Sequence, residues 1–206
     1  PAHADSVAAA FDKKIKNVED KKEEVSLPTD AVFVLKRGND PDRKAALKYL
    51  FSRGLTKRDI YRWRVMYSAK SRFRRRVIIP SFDCDGNLSY YVARSIDKKR
   101  MPKYINSKVP KNEMIFNEID VNWNEPIVLV EGVFDAIKCS DNVIPILGSS
   151  LSKNSKLYQS LIKYSCDVTL SLDPDLKEKC YKIAKNLAKD GCNVSIAFAP
   201  EKTDLG

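Results

Sequence analysis

Four short, unbroken apolar runs set apart by helix-like segments constrain this chain more than any other feature: IVLV (127–130), VIPIL (143–147), VTLSL (168–172) and VSIAFA (194–199). A strand with one face in water alternates apolar and polar residues, whereas a strand covered on both faces reads as a continuous run, the pattern of buried parallel strands. Between the last two runs, Cys180, Ile183, Ala184, Leu187 and Ala188 fall on one helical stripe, and Gly191 follows as a stop. The order is therefore strand, helix, strand, helix, strand, helix, strand. Right-handed crossovers wind such an order into a small, open, mostly parallel α/β sheet with flanking helices, whose ligands gather at the carboxyl ends of the strands.

Those carboxyl ends are acidic. Directly after IVLV stand Glu131, Gly132 and, one helical turn on, Asp135; directly after VTLSL stand Asp173, Pro174 and Asp175; Gly148 ends the run between them. If the two acid-tipped strands are neighbours, up to four carboxylates converge, and pairs roughly 5 Å apart repel by about 3 kcal/mol at an effective dielectric of about 20. Positive charge must sit among them. With oxygen ligands only and no His or Cys nearby, the fitting ion is hard and divalent, Mg²⁺ or Mn²⁺, held partly through water and open to phosphate oxygens. That is the chemistry of metal-assisted phosphoryl transfer. A structural alternative stands beside it: Asp followed by Pro is also how a helix begins, and Glu131 alone would serve as a surface ion-pair partner. What favours the shared metal edge is coincidence, E-G-x-x-D after one buried run and D-x-D after another, with a glycine ending a third.

The first 124 residues read differently. Residues 1–35 are rich in Lys, Asp and Glu with only Phe11, Ile15 and Val18 in helical spacing, so a linker or disordered arm is expected there. Asp40 before Pro41 opens a helix through KAALKYLFSR that Gly54 stops, and Thr56 caps a second. RRRVIIPSF and LSYYVAR flank DCDGN, which predicts a hairpin over 74–94. The expected division is an arm (1–35), a smaller basic α+β subdomain (36–124) and the α/β unit (125–206). The single histidine, His3, argues against His-based triads and His-ligated zinc. Five cysteines without a C-x-x-C pair suit free thiols in a reducing cytoplasm, with neither disulfides nor a zinc site. No apolar run approaches the roughly 20 residues that cross a bilayer, and no secretory leader opens the chain, so a soluble, cytoplasmic protein without membrane contact is expected. Opening at Pro1 and stopping at Gly206 just after a charged segment, the sequence reads as a fragment, possible truncation at its C-terminus included.

EGVFD (131–135) followed by DPD (173–175) resembles the TOPRIM domain of DNA primases, topoisomerases and some nucleases. YLFSRGLT (49–56), RRVIIPSFDCDGN (75–87), YVAR (91–94) and PKYINS (102–107) occur in the order of the DnaG-type primase catalytic core, resembling that of bacteriophage primases, and APEKTD (199–204) sits where the family has its last acidic motif. The resemblance spans about residues 45–204. It implies a TOPRIM-type sheet in which Glu131 is a general base or metal-water ligand, Asp135, Asp173 and Asp175 hold divalent ions, and Asp204 joins them. It also implies nucleotide or template contacts for Arg53, Arg94, Lys103, Tyr104 and Asn106. Asn117 and Glu118 depart from the family, standing where a basic residue commonly follows the phenylalanine near 116, as does Pro174, in place of a small residue. No counterpart of the family's zinc-binding template reader or helicase-binding region lies within the 206 residues.

Charge agrees with a polyanionic partner. The whole chain carries +10, while Arg53 to Lys103 alone holds fifteen Lys or Arg against four acids. Arg74, Arg75 and Arg76 read as a grip on backbone phosphates. Tyr61, Trp63, Tyr67, Phe73, Phe82, Tyr90 and Tyr91 are interleaved with the charge and offer faces for unstacked bases, although burial in an ordinary core accounts for most such rings. The expectation is a monomeric primase core, in the host cytoplasm if phage-encoded, that makes short RNA primers on a single-stranded DNA template from ribonucleoside triphosphates. It would use two or more Mg²⁺ or Mn²⁺ ions and no zinc in this chain, and work with a replicative helicase. The alternatives are a TOPRIM-family nuclease and a non-catalytic single-stranded nucleic-acid-binding module.

Overall fold

The computed structural model describes residues 25–139 and 141–198. Asp40 starts helix α1 (Pro41–Ser52) as expected: its carboxylate accepts from the backbone N–H of Asp42 at 2.8 Å and of Arg43 at 3.4 Å, with Pro41 in the first turn. Gly54 then reverses the chain at φ +80°, a conformation open to glycine at little cost. Helix α2 (Lys57–Arg62) begins with a reciprocal cap in which the Asp59 N–H donates to the Thr56 hydroxyl and the Thr56 N–H donates to the Asp59 carboxylate.

Five strands make an antiparallel sheet in chain order: β1 (Val32–Phe33), β2 (Met66–Ser68), β3 (Arg76–Phe82), β4 (Leu88–Ser95) and β5 (Tyr104–Asn106). The predicted hairpin is β3–β4, closed by Asp83, whose carboxylate accepts from the N–H groups of Asp85 and Asn87. Six of the seven β3 residues are buried because the sheet is covered on both sides. Val77 and Ile79 face the main core with Leu50, Ile60 and Trp63, whereas Ile78 faces Phe73, Tyr91 and Ala93.

That second face corrects the expectation of an arm reaching residue 35. Val25, Leu27 and Ala31 pack over Ile78 and its neighbours, Val32–Phe33 pair with Met66 and Tyr67, and Val34 is fully buried. The Asp30 carboxylate pins the segment by accepting from the Ser68 hydroxyl at 2.6 Å and the Lys70 N–H at 2.8 Å. The charge-rich composition hid an apolar strip of the width needed to keep one face of a sheet out of water. Residues 1–24 lie outside the described residues.

The second half is the parallel sheet read from the apolar runs: β6 (Ile127–Val130), helix α3 (Val133–Lys138), β7 (Val143–Pro145), helix α4 (Lys156–Lys163), β8 (Asp167–Ser171), helix α5 (Lys177–Lys189) and β9 (Asn193–Ile196). Their order across the sheet is β7-β6-β8-β9, all parallel. Ile127, Leu129, Leu170 and Val168 are buried with Leu161, Cys180 and Leu187 from the helices, each large apolar side chain contributing roughly 1.5–3 kcal/mol. β6 and β8 are direct neighbours, with Val130 opposite Ser171 at their carboxyl ends. Among the described residues no helix is long and apolar enough to cross a membrane.

Candidate functional site

Parallel pairing of β6 with β8 delivers Glu131 and Asp173 to the same edge of the sheet. Glu131, half-buried, holds its proton more tightly than an ordinary glutamate: burial is the first cause, the negative charges of Asp173, Asp135 and Asp175 follow, and Lys179 opposes them. Acids from two separate strands thus sense one another. Gly132 is required by a close approach. Its N–H donates to an Asp135 carboxylate oxygen at 2.9 Å, and a Cβ at position 132 would lie 2.9 Å from that same oxygen. Asp135 stands in the first turn of α3, where a negative charge also suits the helix dipole.

Asp173 occupies the N-cap position of a 3₁₀ turn (Pro174–Leu176), yet its side chain makes no capping hydrogen bond, so the helix-start geometry is present without the capping role. Asp175 is exposed on that turn. Gly148, at φ +140°, lies three residues beyond β7 beside Lys111, whose Nζ would be 3.2 Å from a Cβ there. Asp204 and the segment 199–204 lie outside the described residues. Among the described residues no three acidic, His or Cys side chains form a ready metal cage. The oxygen-only set fits a hard ion that keeps most of its water and takes one or two carboxylates, the habit of Mg²⁺.

A cleft of about 410 Å³ joins this acidic edge to the basic half. Glu131, Gly132, Asp135, Gly148 and Asp173 line one side; Arg53, Arg94, Lys103, Tyr104 and Asn106 line the other. Arg53 follows α1 directly, and Arg94 on β4 is the register partner of Tyr104 on β5. The Arg94 guanidinium lies 5.4 Å from the Tyr104 ring centre, and the Lys103 ammonium 5.8 Å. Burial pushes the Tyr104 hydroxyl up from its ordinary value, against the opposing charge of Arg94.

The three consecutive arginines do not act together. Arg76, read as a phosphate grip, is 1% exposed: it points inward from β3 and donates to the carbonyls of Pro102 at 2.5 Å and Lys103 at 3.0 Å. It is corrected to an internal brace under the strand that carries Tyr104. Arg75 is held by Asp97 at 2.6 Å and Asp42 at 3.3 Å, and Arg74 pairs with Asp42 at 3.0 Å while most of its side chain stays in water. Of the interleaved aromatics, Trp63, Tyr67, Phe73, Tyr90 and Tyr91 are core residues, and Tyr61 is widely exposed. The departures at 117 and 118 are structural here: the Asn117 N–H donates to the Ser81 hydroxyl, and Glu118 pairs with Lys156 at 2.6 Å.

Three residues near the cleft escaped the sequence reading. Lys179 opposes the acids at Glu131 and donates to the Ser149 hydroxyl at 2.9 Å; Lys111 donates to the Leu147 carbonyl at 3.4 Å. Neither has a spacing that marks it. Phe134 contacts Arg53, Arg94 and Tyr49, and its only signal was its place inside E-G-x-x-D.

No protein-family model matches the chain. In sequence it is similar to proteins named DNA primase: 29% identical over 152 residues to that of Clostridium acetobutylicum, covering 65% of this chain and 24% of that protein, and 25% identical over 237 aligned positions to that of Geobacillus stearothermophilus, covering 88% and 39%. The chain thus spans well under half the length of the curated relatives it matches. In structure it is similar to the Aquifex aeolicus primase, solved as its zinc-binding and RNA polymerase domains (TM-score 0.68, 23% identity, 84% of this chain and 52% of that one). It is likewise similar to a DnaG primase catalytic domain solved bound to single-stranded DNA (TM-score 0.66, 19% identity, 81% and 69%). The resemblance to DnaG-type primase cores therefore holds in sequence and in fold, and the fold is that of the DnaG primase catalytic core.

Proposed function

We propose that the chain is the catalytic core of a DNA primase that synthesises short RNA primers on single-stranded DNA, with 125–206 as a TOPRIM-type metal-binding unit and 36–124 as a basic unit for template and nucleotide. The observation that carries the reading is the cleft in which Arg53, Arg94 and Lys103 face Glu131, Asp135 and Asp173. The similarity to a DnaG domain solved with single-stranded DNA supports the template. Ribonucleoside triphosphates are the substrates, a replicative helicase is the partner, and the core acts as a monomer.

In this reading Glu131, Asp135, Asp173 and Asp175, with Asp204, hold two or more Mg²⁺ or Mn²⁺ ions. When bound, the ions neutralise triphosphate charge and make the attacking 3′-hydroxyl more acidic. Glu131, half-buried at the same rim, would either receive that proton or hold a metal-bound water. Arg53, Arg94 and Lys103 bind phosphates, Tyr104 offers a ring face to a base, and Asn106 an amide. Arg74 remains available to template phosphates. The protein works chiefly by position, bringing a hydroxyl and an α-phosphorus together in one cleft.

The test is primer synthesis on a single-stranded template with ribonucleotides and Mg²⁺ or Mn²⁺. Asp173→Ala lowers it by at least about a hundredfold while DNA binding stays near that of the unsubstituted chain. Synthesis retained in that variant contradicts the assignment.

A further inference from the structure

Phe134, in the EGVFD turn, reaches into the opposite half of the molecule. It is 3% exposed, stands between the cleft residues Val133 and Asp135, and belongs to the core shared by the two sheets rather than to the core of its own. Two guanidinium groups from the basic half close on its ring. The Cζ of Arg53 lies 4.8 Å from the ring centre and the Cζ of Arg94 also 4.8 Å, while Tyr49 meets it edge-on at 6.2 Å.

Both arginines line the same cleft as Glu131, Asp135 and Asp173. Among the described residues neither forms an ion pair with a carboxylate, although other arginines of the basic half, Arg62, Arg64, Arg74 and Arg75, do. Two like charges on one ring repel each other, and a long cation near an acid ordinarily settles into a direct salt bridge with it. The ring face offers each guanidinium a competing attraction and fixes its distance from the rim.

We infer that Phe134 is a positioning residue that holds Arg53 and Arg94 off the carboxylate rim, leaving the acids to a divalent ion and the arginines to the phosphates of a nucleotide. The inference rests on the primase reading. It assigns to a single ring the task of keeping opposite charges apart in one cleft until a metal and a triphosphate arrive to join them.

The test replaces Phe134 with pentafluorophenylalanine, which keeps the ring but reverses the polarity of its face, and separately with Leu. The probes are Mn²⁺ alone, followed by water-proton relaxation, and ATP with Mn²⁺ by calorimetry; thermal melting reports the fold. With the fluorinated ring the expected result is Mn²⁺ and ATP binding weakened about tenfold with the melting temperature within a few degrees of the unsubstituted chain, and a raised KM for nucleotide with kcat less affected. Phe134→Leu does the same, and should Leu not fold, the fluorinated chain alone decides. Weakening by Leu but not by the fluorinated ring assigns Phe134 to packing and overturns the inference. Saturable Mn²⁺ binding that is identical in all three chains overturns the inference alone; no saturable Mn²⁺ binding in the unsubstituted chain overturns the primase reading and the inference with it.

Discussion

The acidic and basic walls of the cleft are built by different rules. Each acid is attached by a short side chain to backbone that a strand end fixes: Glu131 follows Val130, Asp173 lies two residues beyond Ser171, and strand pairing alone brings them together. The cations sit at the ends of long side chains whose destination the backbone does not decide. Arg74, Arg75 and Arg76 are adjacent in sequence, yet one stays mostly in water, one is bound by two carboxylates and one is buried beneath β5. Acid placement is thus a property of topology, and cation placement a property of packing.

The largest effect that would break this contrast is at Arg76. Arg76→Met leaves the Pro102 and Lys103 carbonyls without their donor, and the expected loss of folding stability is about 3 kcal/mol. Arg74→Ala costs less, about 1 kcal/mol, because Arg74 stays mostly in water and the buried Asp42 keeps its pairing with Arg75. Urea denaturation of both variants decides it, and equal losses would mean that neighbouring arginines are interchangeable after all.

Next comes Gly132→Ala. The added Cβ falls 2.9 Å from the Asp135 carboxylate, so either that oxygen or the turn must move. Stability should drop by about 1 kcal/mol and primer synthesis by more than that loss explains, measured on the same preparation. A variant with unchanged activity would show that Asp135 needs no fixed position.

Smaller effects follow from the charges of the basic half. The Arg75 guanidinium holds the Asp97 carboxyl below its ordinary value of 3.8. A depressed acid supports the fold fully above its unfolded value and loses that support as pH falls through the folded one. Stability should therefore fall more steeply below about pH 4 in the native chain than in Asp97→Asn, by acid titration of the unfolding free energy. Smallest of all, Arg74→Ala should reduce the log-log salt slope of single-strand binding by about 0.7, one phosphate contact.

The same contrast explains what could be read from sequence. The parallel sheet was legible because doubly covered strands give unbroken apolar runs, and the hairpin because Asp83 and Gly86 carry the turn chemistry of DCDGN. Residues 25–34 were not: VSLPTDAVFV carries one charge, Asp30, but it is short, follows a charge-rich stretch, and its apolar side chains gain meaning only against Ile78 and Tyr91. Glu131, Asp135 and Asp173 were legible as strand-end acids, and Arg53 and Arg94 through family resemblance. Phe134 acts across the two sheets and Lys179 across elements of one, and no local spacing announces a partner in a distant segment.

The account stands on carboxylates of β6 and β8 sharing one rim, and the Glu131 carboxyl reports on that directly. Followed by carbon-13 NMR in the metal-free chain, it should titrate above 4.5, and in Asp173→Asn its midpoint should move down toward that value. A Glu131 midpoint that is the same in both chains would mean that the two acids do not sense each other, and the shared metal edge would fall with it.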